Sequence, residues 1–252
     1  FIGHNFSATD TMISSFFVFN TSSGIQLNGS GFVDVWGVPN QNFMGTVSLY
    51  NLTTGIYEDQ SQYQVPANIN AVFLDTLHGV NLLPVPIKFT TGVHPTINNK
   101  PEVLMTLDNS AQPDTGTLAL VVTVKAQNTA IQMWGNEQVG RFTDGGLPWP
   151  FVSGTTDHTV SDAGGCGNST ISVGAYTSKS VWTSMPLGPI NTGDTIGAIA
   201  SFSAHGPTAD GRTKPDITAP GQYVASSFNS HYTGPITSNY LATLVDTVVL
   251  GN

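Results

Sequence analysis

A chain of 252 residues in which 39% are hydrophobic and only 9% are charged can bury the core of one or two domains, and it is neither a disordered tail nor a coiled coil. Its 7 Lys and Arg against 16 Asp and Glu leave a formal net charge of −9, which argues against binding a polyanion, since phosphate neutralisation needs clustered cations. The longest apolar run, near Leu118 to Val122, falls far short of the ~20 residues that cross a bilayer, so no membrane span is expected.

From Ile13 to about Phe142, short apolar stretches alternate with Gly, Pro and Asn in the manner of a β-sandwich. Strands are expected at Ser15 to Phe19, Gly31 to Trp36, Gly45 to Tyr50, Asn70 to Leu74, Val85 to Phe89, Val103 to Leu107, Leu118 to Lys125 and Ala130 to Trp134. No stretch here keeps a helical period with a cap and a glycine stop, so the region reads as nearly all β. Two strands echo one another: Val33-Asp34-Val35-Trp36-Gly37 followed by Phe43, and Ile131-Gln132-Met133-Trp134-Gly135 followed by Phe142. Alternation sets Val33 and Val35 against Trp36, and Ile131 and Met133 against Trp134. Equivalent strands near the two ends of one sandwich would bring its entrance and exit together, as suits a domain inserted into another fold. Trp36, Trp134 and Tyr50 fit either core positions or a carbohydrate or peptide groove.

The cluster Asp144-Gly145-Gly146-Leu147-Pro148-Trp149-Pro150 marks a boundary and divides the chain into 1–146 and 147–252. Beyond it, Ile171 to Tyr176 reads as a strand in which Gly174 implies a close backbone approach or a bulge. A second strand is expected at Tyr223 to Phe228. Between them Gly206-Pro207, Asp210-Gly211 and Pro220-Gly221 are turn signals, and so much glycine and proline implies a fixed, irregular backbone around a site. Asp210-Gly211-Arg212 itself fits a hairpin turn better than an adhesion motif. The single cysteine, Cys166, rules out an internal disulfide framework and reads as a small turn residue. Asn-x-Ser/Thr triplets at Asn5, Asn20, Asn28, Asn51 and Asn168 are what chance gives so Asn-, Ser- and Thr-rich a chain. No leader can be read from Phe1 onward, and the chain is expected to be processed, trimmed or a fragment. Low charge with abundant Thr, Asn and Gly points to a secreted or cell-envelope-exposed protein.

The run from Ile199 through Ser203-Ala204-His205-Gly206-Pro207-Thr208, Asp210-Gly211-Arg212 and Lys214-Pro215-Asp216-Ile217-Thr218-Ala219-Pro220-Gly221 resembles the segment before the nucleophile loop of subtilisin-like serine proteases. Upstream, His158-Thr159-Val160-Ser161-Asp162-Ala163-Gly164-Gly165, leading to Ile171 to Tyr176, is similar to the family's substrate-pocket loop and the strand that follows it. The two blocks stand in the family's order. The resemblance therefore implies a jelly-roll-like β-sandwich insertion domain followed by part of a subtilisin-like α/β catalytic domain, most similar to exported bacterial members.

What the resemblance implies chemically is acyl transfer by Asp, His and Ser, with an Asn helping to hold the oxyanion. The family's nucleophile lies in a Gly-Thr-Ser-Met block, and no such block occurs here; nor do the Asp and His blocks. The triad is thus expected outside this chain, in flanking sequence or in companion fragments of one precursor, with peptides or proteins as substrate. Asp157-His158 and Ser203-Ala204-His205 set titratable groups beside hydroxyls, but adjacency in sequence does not make a nucleophile and base. Gly135-Asn136-Glu137 imitates the family's oxyanion Gly-Asn; its distance from His158 and its echo at Trp36-Gly37 argue that the true Asn lies upstream of Phe1. By the same resemblance Ser161 falls at the floor of the primary specificity pocket and Gly164 in its wall. A small floor leaves room for a large apolar or aromatic side chain. Asp162 either turns inward to favour a basic one or is a solvated turn residue. The family also implies calcium held by backbone carbonyls, although Asp194, Asp210 and Asp216 lack the spacing of a calcium loop. The competing reading is a non-catalytic pseudoprotease or a β-sandwich binding or adhesion module.

Overall fold

The computed structural model describes residues 1–18, 29–61, 63–80, 84–94, 98–108, 117–136, 141–160, 165, 167–184 and 187–225. They form two compact units, Phe1–Thr156 and the part beginning at Asp157. All sixteen elements within the described residues are β-strands. Among these residues no helix is long and apolar enough to cross a membrane.

The first unit holds two sheets of six strands each. One is built from β1 (Ile2–Asn5), β3 (Ser30–Trp36), β7 (Ala71–Leu77), β8 (Val85–Val93), β9 (Pro101–Asp108) and β11 (Ala130–Gly135), in the order β1-β11-β3-β9-β8-β7. The other comprises β2 (Met12–Val18), β4 (Phe43–Asn51), β5 (Ile56–Gln60), β10 (Leu118–Ala126) and β12 (Arg141–Thr143), ordered β12-β2-β10-β4-β5, with β6 (Val65–Pro66) also on β4. Every pairing in both sheets is antiparallel.

Period-two alternation decides which faces meet. On β9, Val103, Met105 and Leu107 are buried while Thr106 and Asp108 face out. Val33 and Val35 of β3, Ile131 and Met133 of β11, and Val47, Leu49, Leu120 and Val122 of the second sheet join them in one core. A Cβ on Gly45 would lie 2.7 Å from Met105 Cε, so glycine lets the two layers approach there. The echoed strands are neighbours, with Trp36 opposite Gln132 and Trp134 opposite Asp34. Trp36 and Trp134 stand outside the core on the outer face of their sheet, whereas Tyr50 is buried.

β10 is buried on both faces because a second apolar cluster covers the outside of its sheet. Phe16, Tyr50, Ala119 and Val121 pack there with Leu52, Leu147 and Phe151, the Phe151 ring stacking on Phe16 at 5.0 Å. Phe151 also bridges Ser14, and Val152 N donates to Ser14 O. The Gly/Pro cluster at 144–150 therefore belongs to the first unit, and the chain divides after Thr156 instead of at residue 146. The unit's two ends meet: Phe1 N donates to Thr155 O and Thr155 N to Phe1 O, both at 2.8 Å.

In the second unit β13 (Val173–Thr177) pairs in parallel with β16 (Ile217–Gln222), and β14 (Val181–Ser184) forms a hairpin with β15 (Gly188–Asn191). The strand expected from Tyr223 lies earlier, at Ile217–Gln222, and runs straight through Pro220-Gly221, which the sequence presents as a turn. Pro220 has no N–H to give a ladder, and the register with β13 shifts beside it, between Tyr176 and Thr177. Tyr223 takes a φ of 56° and ends the strand; residues 226–228 lie outside the described residues.

Candidate functional site

The two sequence blocks that carry the family resemblance meet along β13. Ala175 O accepts from Ala200 N at 2.9 Å, Thr177 N donates to Ala198 O at 2.9 Å, and Ala175 N donates to Ser203 Oγ at 3.0 Å. The segment 197–203 thus lines one edge of β13 while β16 takes the other. Gly174 permits this crowding: a Cβ there would sit 2.9 Å from Pro215 Cγ and 3.4 Å from Ser203 Oγ. The close approach expected at Gly174 is present, and the bulge follows two residues later.

Lys214 is the centre of the polar framework. Its side chain is buried, and Nζ donates to Thr170 O and to Asp216 Oδ2, each at 2.7 Å. The same Asp216 oxygen accepts from Ser172 N at 2.7 Å and from Ser172 Oγ at 3.1 Å. The Lys214 ammonium, then the Ser172 N–H, hold the Asp216 carboxyl down to about 2. Four groups from two sequence blocks are locked around one charge pair.

Arg212 does for the pocket-loop block what Lys214 does for β13. Its Nε donates to Asp210 Oδ2 at 2.8 Å, Nη2 to Gly165 O at 2.8 Å and Nη1 to Gly167 O at 3.4 Å. Asp210 is held below the usual carboxylate range by the Thr208 hydroxyl and then by Arg212. The chain reverses at Gly211, with a φ of 84°, through Gly211 N to Thr208 O and Thr208 N to Arg212 O. Asp210-Gly211-Arg212 is a turn, and one whose arginine fastens the carbonyls at 165 and 167.

The sequence-predicted pocket residues Ser161, Asp162 and Gly164, and Cys166 with them, lie outside the described residues. Around them, Thr159 N donates to His205 O and Thr159 Oγ1 accepts from His205 N, both at 2.9 Å, while His158 Nδ1 donates to Thr208 O at 3.3 Å. These bonds tie the start of the loop to the 205–208 segment, and His158 and His205 serve as anchors of backbone. Asn136 belongs to the first unit, where its Oδ1 accepts from Phe32 N and fixes the end of β11 against β3. That use of its side-chain oxygen is structural.

Sequence reasoning passed over Lys214 and Arg212, reading one as part of a block and the other as part of a turn. Lys214 and Asp216 are two residues apart, the spacing that sets side chains on one face of an extended strand, and that was the available signal. Arg212 reaches across 45 and 47 residues of chain, for which no local pattern exists. A calcium ion does not fit these donors: the carbonyls of Gly165, Gly167 and Thr170 and the Asp216 carboxylate already face the cations of Arg212 and Lys214. Among the described residues no group of three or more His, Cys, Asp or Glu side chains is placed to hold a metal.

Comparison with known proteins places this geometry in context. The Subtilase family profile matches residues 108–247. Over 29 residues, 12% of this chain, the sequence is 69% identical to the "Serine protease/ABC transporter B family protein tagD" of Dictyostelium discoideum, covering 2% of that protein. Over 111 residues, 42% of this chain and 45% of the other, it is 34% identical to the "Uncharacterized protein aq_aa18" of Aquifex aeolicus. The fold is similar to the solved structure of the Clostridium perfringens CspB protease, with a TM-score of 0.52 and 15% identity over 96% of this chain and 43% of that one. The chain thus spans less than half the length of each of these three proteins.

Proposed function

Since this chain belongs to the Subtilase family, we propose that it is the specificity-pocket part of a subtilisin-like serine endopeptidase, exported to the cell surface or beyond, whose Asp, His and Ser lie in sequence outside these residues. The family match across the pocket-loop and pre-nucleophile blocks carries this reading. In it, β13 and β16 are two strands of a parallel sheet whose remaining strands and flanking helices belong to the rest of the catalytic domain. Exposure of the register partners Val173 (54%) and Ile217 (57%) supports that role, because parallel sheets are covered on both faces. Residues 1–155 are then a jelly-roll-like β-sandwich inserted in that domain, a role supported by the hydrogen-bonded ends at Phe1 and Thr155.

The division of labour follows. A serine supplied from elsewhere attacks the scissile carbonyl, a histidine takes its proton and returns it to the leaving amine, and an aspartate orients the histidine. This chain holds the substrate: Ser161, Asp162 and Gly164 line the primary pocket. Arg212 and Lys214 keep the loop and β13 from shifting, which matters because misplacement of a reacting group by about 1 Å can cost about a hundredfold in rate. With Ser161 at the floor, cleavage falls after large apolar or aromatic residues.

The test is to label material from the native source with a fluorophosphonate serine-hydrolase probe, then identify the labelled peptide by denaturing mass spectrometry. The expected label is on a serine outside residues 1–252, in the same chain or a companion fragment, with hydrolysis of peptides after large apolar residues. Material that carries the complete flanks and takes no label would be a pseudoprotease or binding module, and the peptidase reading would fall. Label on Ser161 or Ser203 would overturn the placement of the nucleophile.

A further inference from the structure

Three carbonyls from one short stretch, those of Gly165, Gly167 and Thr170, are met by two cationic side chains from another. Arg212 Nη2 donates to Gly165 O at 2.8 Å and Nη1 to Gly167 O at 3.4 Å, while Lys214 Nζ donates to Thr170 O at 2.7 Å. Each cation also holds a carboxylate: Arg212 Nε donates to Asp210 Oδ2 at 2.8 Å, and Lys214 Nζ to Asp216 Oδ2 at 2.7 Å. Ser172 Oγ is a further oxygen at the second of these, 3.1 Å from the same Asp216 atom. Backbone carbonyls spaced along a loop, with carboxylates beside them, are the donors by which proteins gather a hard divalent ion, which takes six to eight oxygens at about 2.3–2.6 Å. In this chain oxygens of that kind face nitrogen instead.

The charges balance in the same way. Arg212 and Lys214 bring two positive charges to the two carboxylates of Asp210 and Asp216, as one divalent ion would. A metal ion added to this set would stand beside the Lys214 ammonium, whose side chain is only 5% exposed, with little water to screen the repulsion. A tethered cation differs from a dissolved one in one thermodynamic respect. A dissolved ion stabilises what it binds by an amount that grows with its concentration, whereas a side chain is always at its site.

We infer that Arg212 and Lys214 stand where a structural divalent ion would otherwise be needed, so that residues 167–177 and 212–222 keep their order without dissolved metal. The inference concerns the framework of the second unit and does not depend on the peptidase reading. Its converse is a metal requirement created by substitution. Lys214→Ala takes the ammonium from Thr170 O and from the Asp216 carboxylate beside Ser172, and a calcium ion can then take its place. Arg212→Ala does the same for the Gly165 and Gly167 carbonyls with Asp210. Calcium suits such irregular oxygens better than magnesium, which demands near-octahedral geometry at about 2.0–2.1 Å and dehydrates reluctantly.

The test follows amide hydrogen exchange in peptides spanning 167–177 and 212–222 of the 252-residue chain, at one ionic strength, with ~5 mM EDTA, calcium or magnesium. The unaltered chain should show the same protection in all three. Lys214→Ala should lose about tenfold or more of that protection in EDTA and regain it, saturably, with calcium. Should Lys214→Ala not fold in any of the three, Arg212→Ala, whose side chain is 32% exposed in the unaltered chain, is read in the same way. If neither folds, the unaltered chain decides. Protection in the unaltered chain that falls with the chelator or rises with calcium would overturn the inference. So would a variant that loses no protection, or one whose loss calcium does not restore, since the cations would then be ordinary ion-pair partners. Equal recovery with magnesium would mark screening by dissolved charge and would overturn it too.

Discussion

Lys214 Nζ is shared between a backbone carbonyl and a carboxylate that also takes two bonds from Ser172, so its removal leaves several acceptors short at once. With Lys214→Met, the Asp216 carboxyl keeps only the Ser172 donors, and its titration midpoint, followed by carbon-detected NMR, rises from about 2 toward the ordinary aspartate value of about 3.9. The sign for stability follows from the depressed value: the contribution is fully present above the unfolded-state midpoint and is lost as pH falls through about 2. A midpoint unmoved in Lys214→Met would mean that Ser172 alone sets it. Gly206 is constrained differently, since a Cβ there would lie 1.9 Å from Lys214 O, a backbone atom that cannot swing aside. Gly206→Ala should destabilise the second unit by about 3 kcal/mol, whereas Gly92→Ala, which meets the Asn70 side chain at 2.8 Å, should cost far less. Denaturant melts of the two variants compare them directly.

At the level of elements, β10 shows why the 144–150 cluster misled. The alternation of its neighbours predicts one buried face, yet Ala119 and Val121 are as buried as Leu120 and Val122, because Leu147 and Phe151 come back over the sheet. A fragment of residues 1–156 should therefore melt cooperatively, and one ending at residue 146 should be less stable by about 3 kcal/mol, the order of a phenylalanine removed from a core. Equal melting temperatures would show that Phe151 contributes no stability. Strands of strong period, such as β3, β8, β9 and β10, were legible within a few residues, as was the inward facing of Val33, Val35, Ile131 and Met133. β1, β5 and β12 were not, since short edge strands with His4, Glu58 or Arg141 carry little alternation. β16 was hidden because Pro220-Gly221 signals a turn locally, and only pairing with β13 makes it extended. In the candidate site the backbone framework was legible as blocks, whereas the clasp of Arg212 on Gly165 and Gly167 rests on tertiary contacts that no spacing encodes.

The molecule as a whole joins a unit with a closed core to one whose described strands leave Val173 and Ile217 largely exposed, as is Phe202 in the turn between them. The contrast accounts for the difference in what sequence could say of each. In the first unit, hydrophobic period predicts the structure because the unit satisfies itself. In the second, the pattern answers to neighbours and to a site, so family blocks spoke where periodicity did not.

The rung between Phe1 and Thr155 also has a mechanical meaning. If residues 1–155 are inserted in the catalytic domain as proposed, a pull transmitted along the chain enters the first unit at one of these residues and leaves at the other, so the load falls first on two hydrogen bonds and not on the core. Once they part, β1 peels from β11 one pair at a time, beginning with Ile2 opposite Met133, while the facing layers carry no tension. Stretching would therefore open this unit from its margin like a zip, at low force, and leave the packed interior for last.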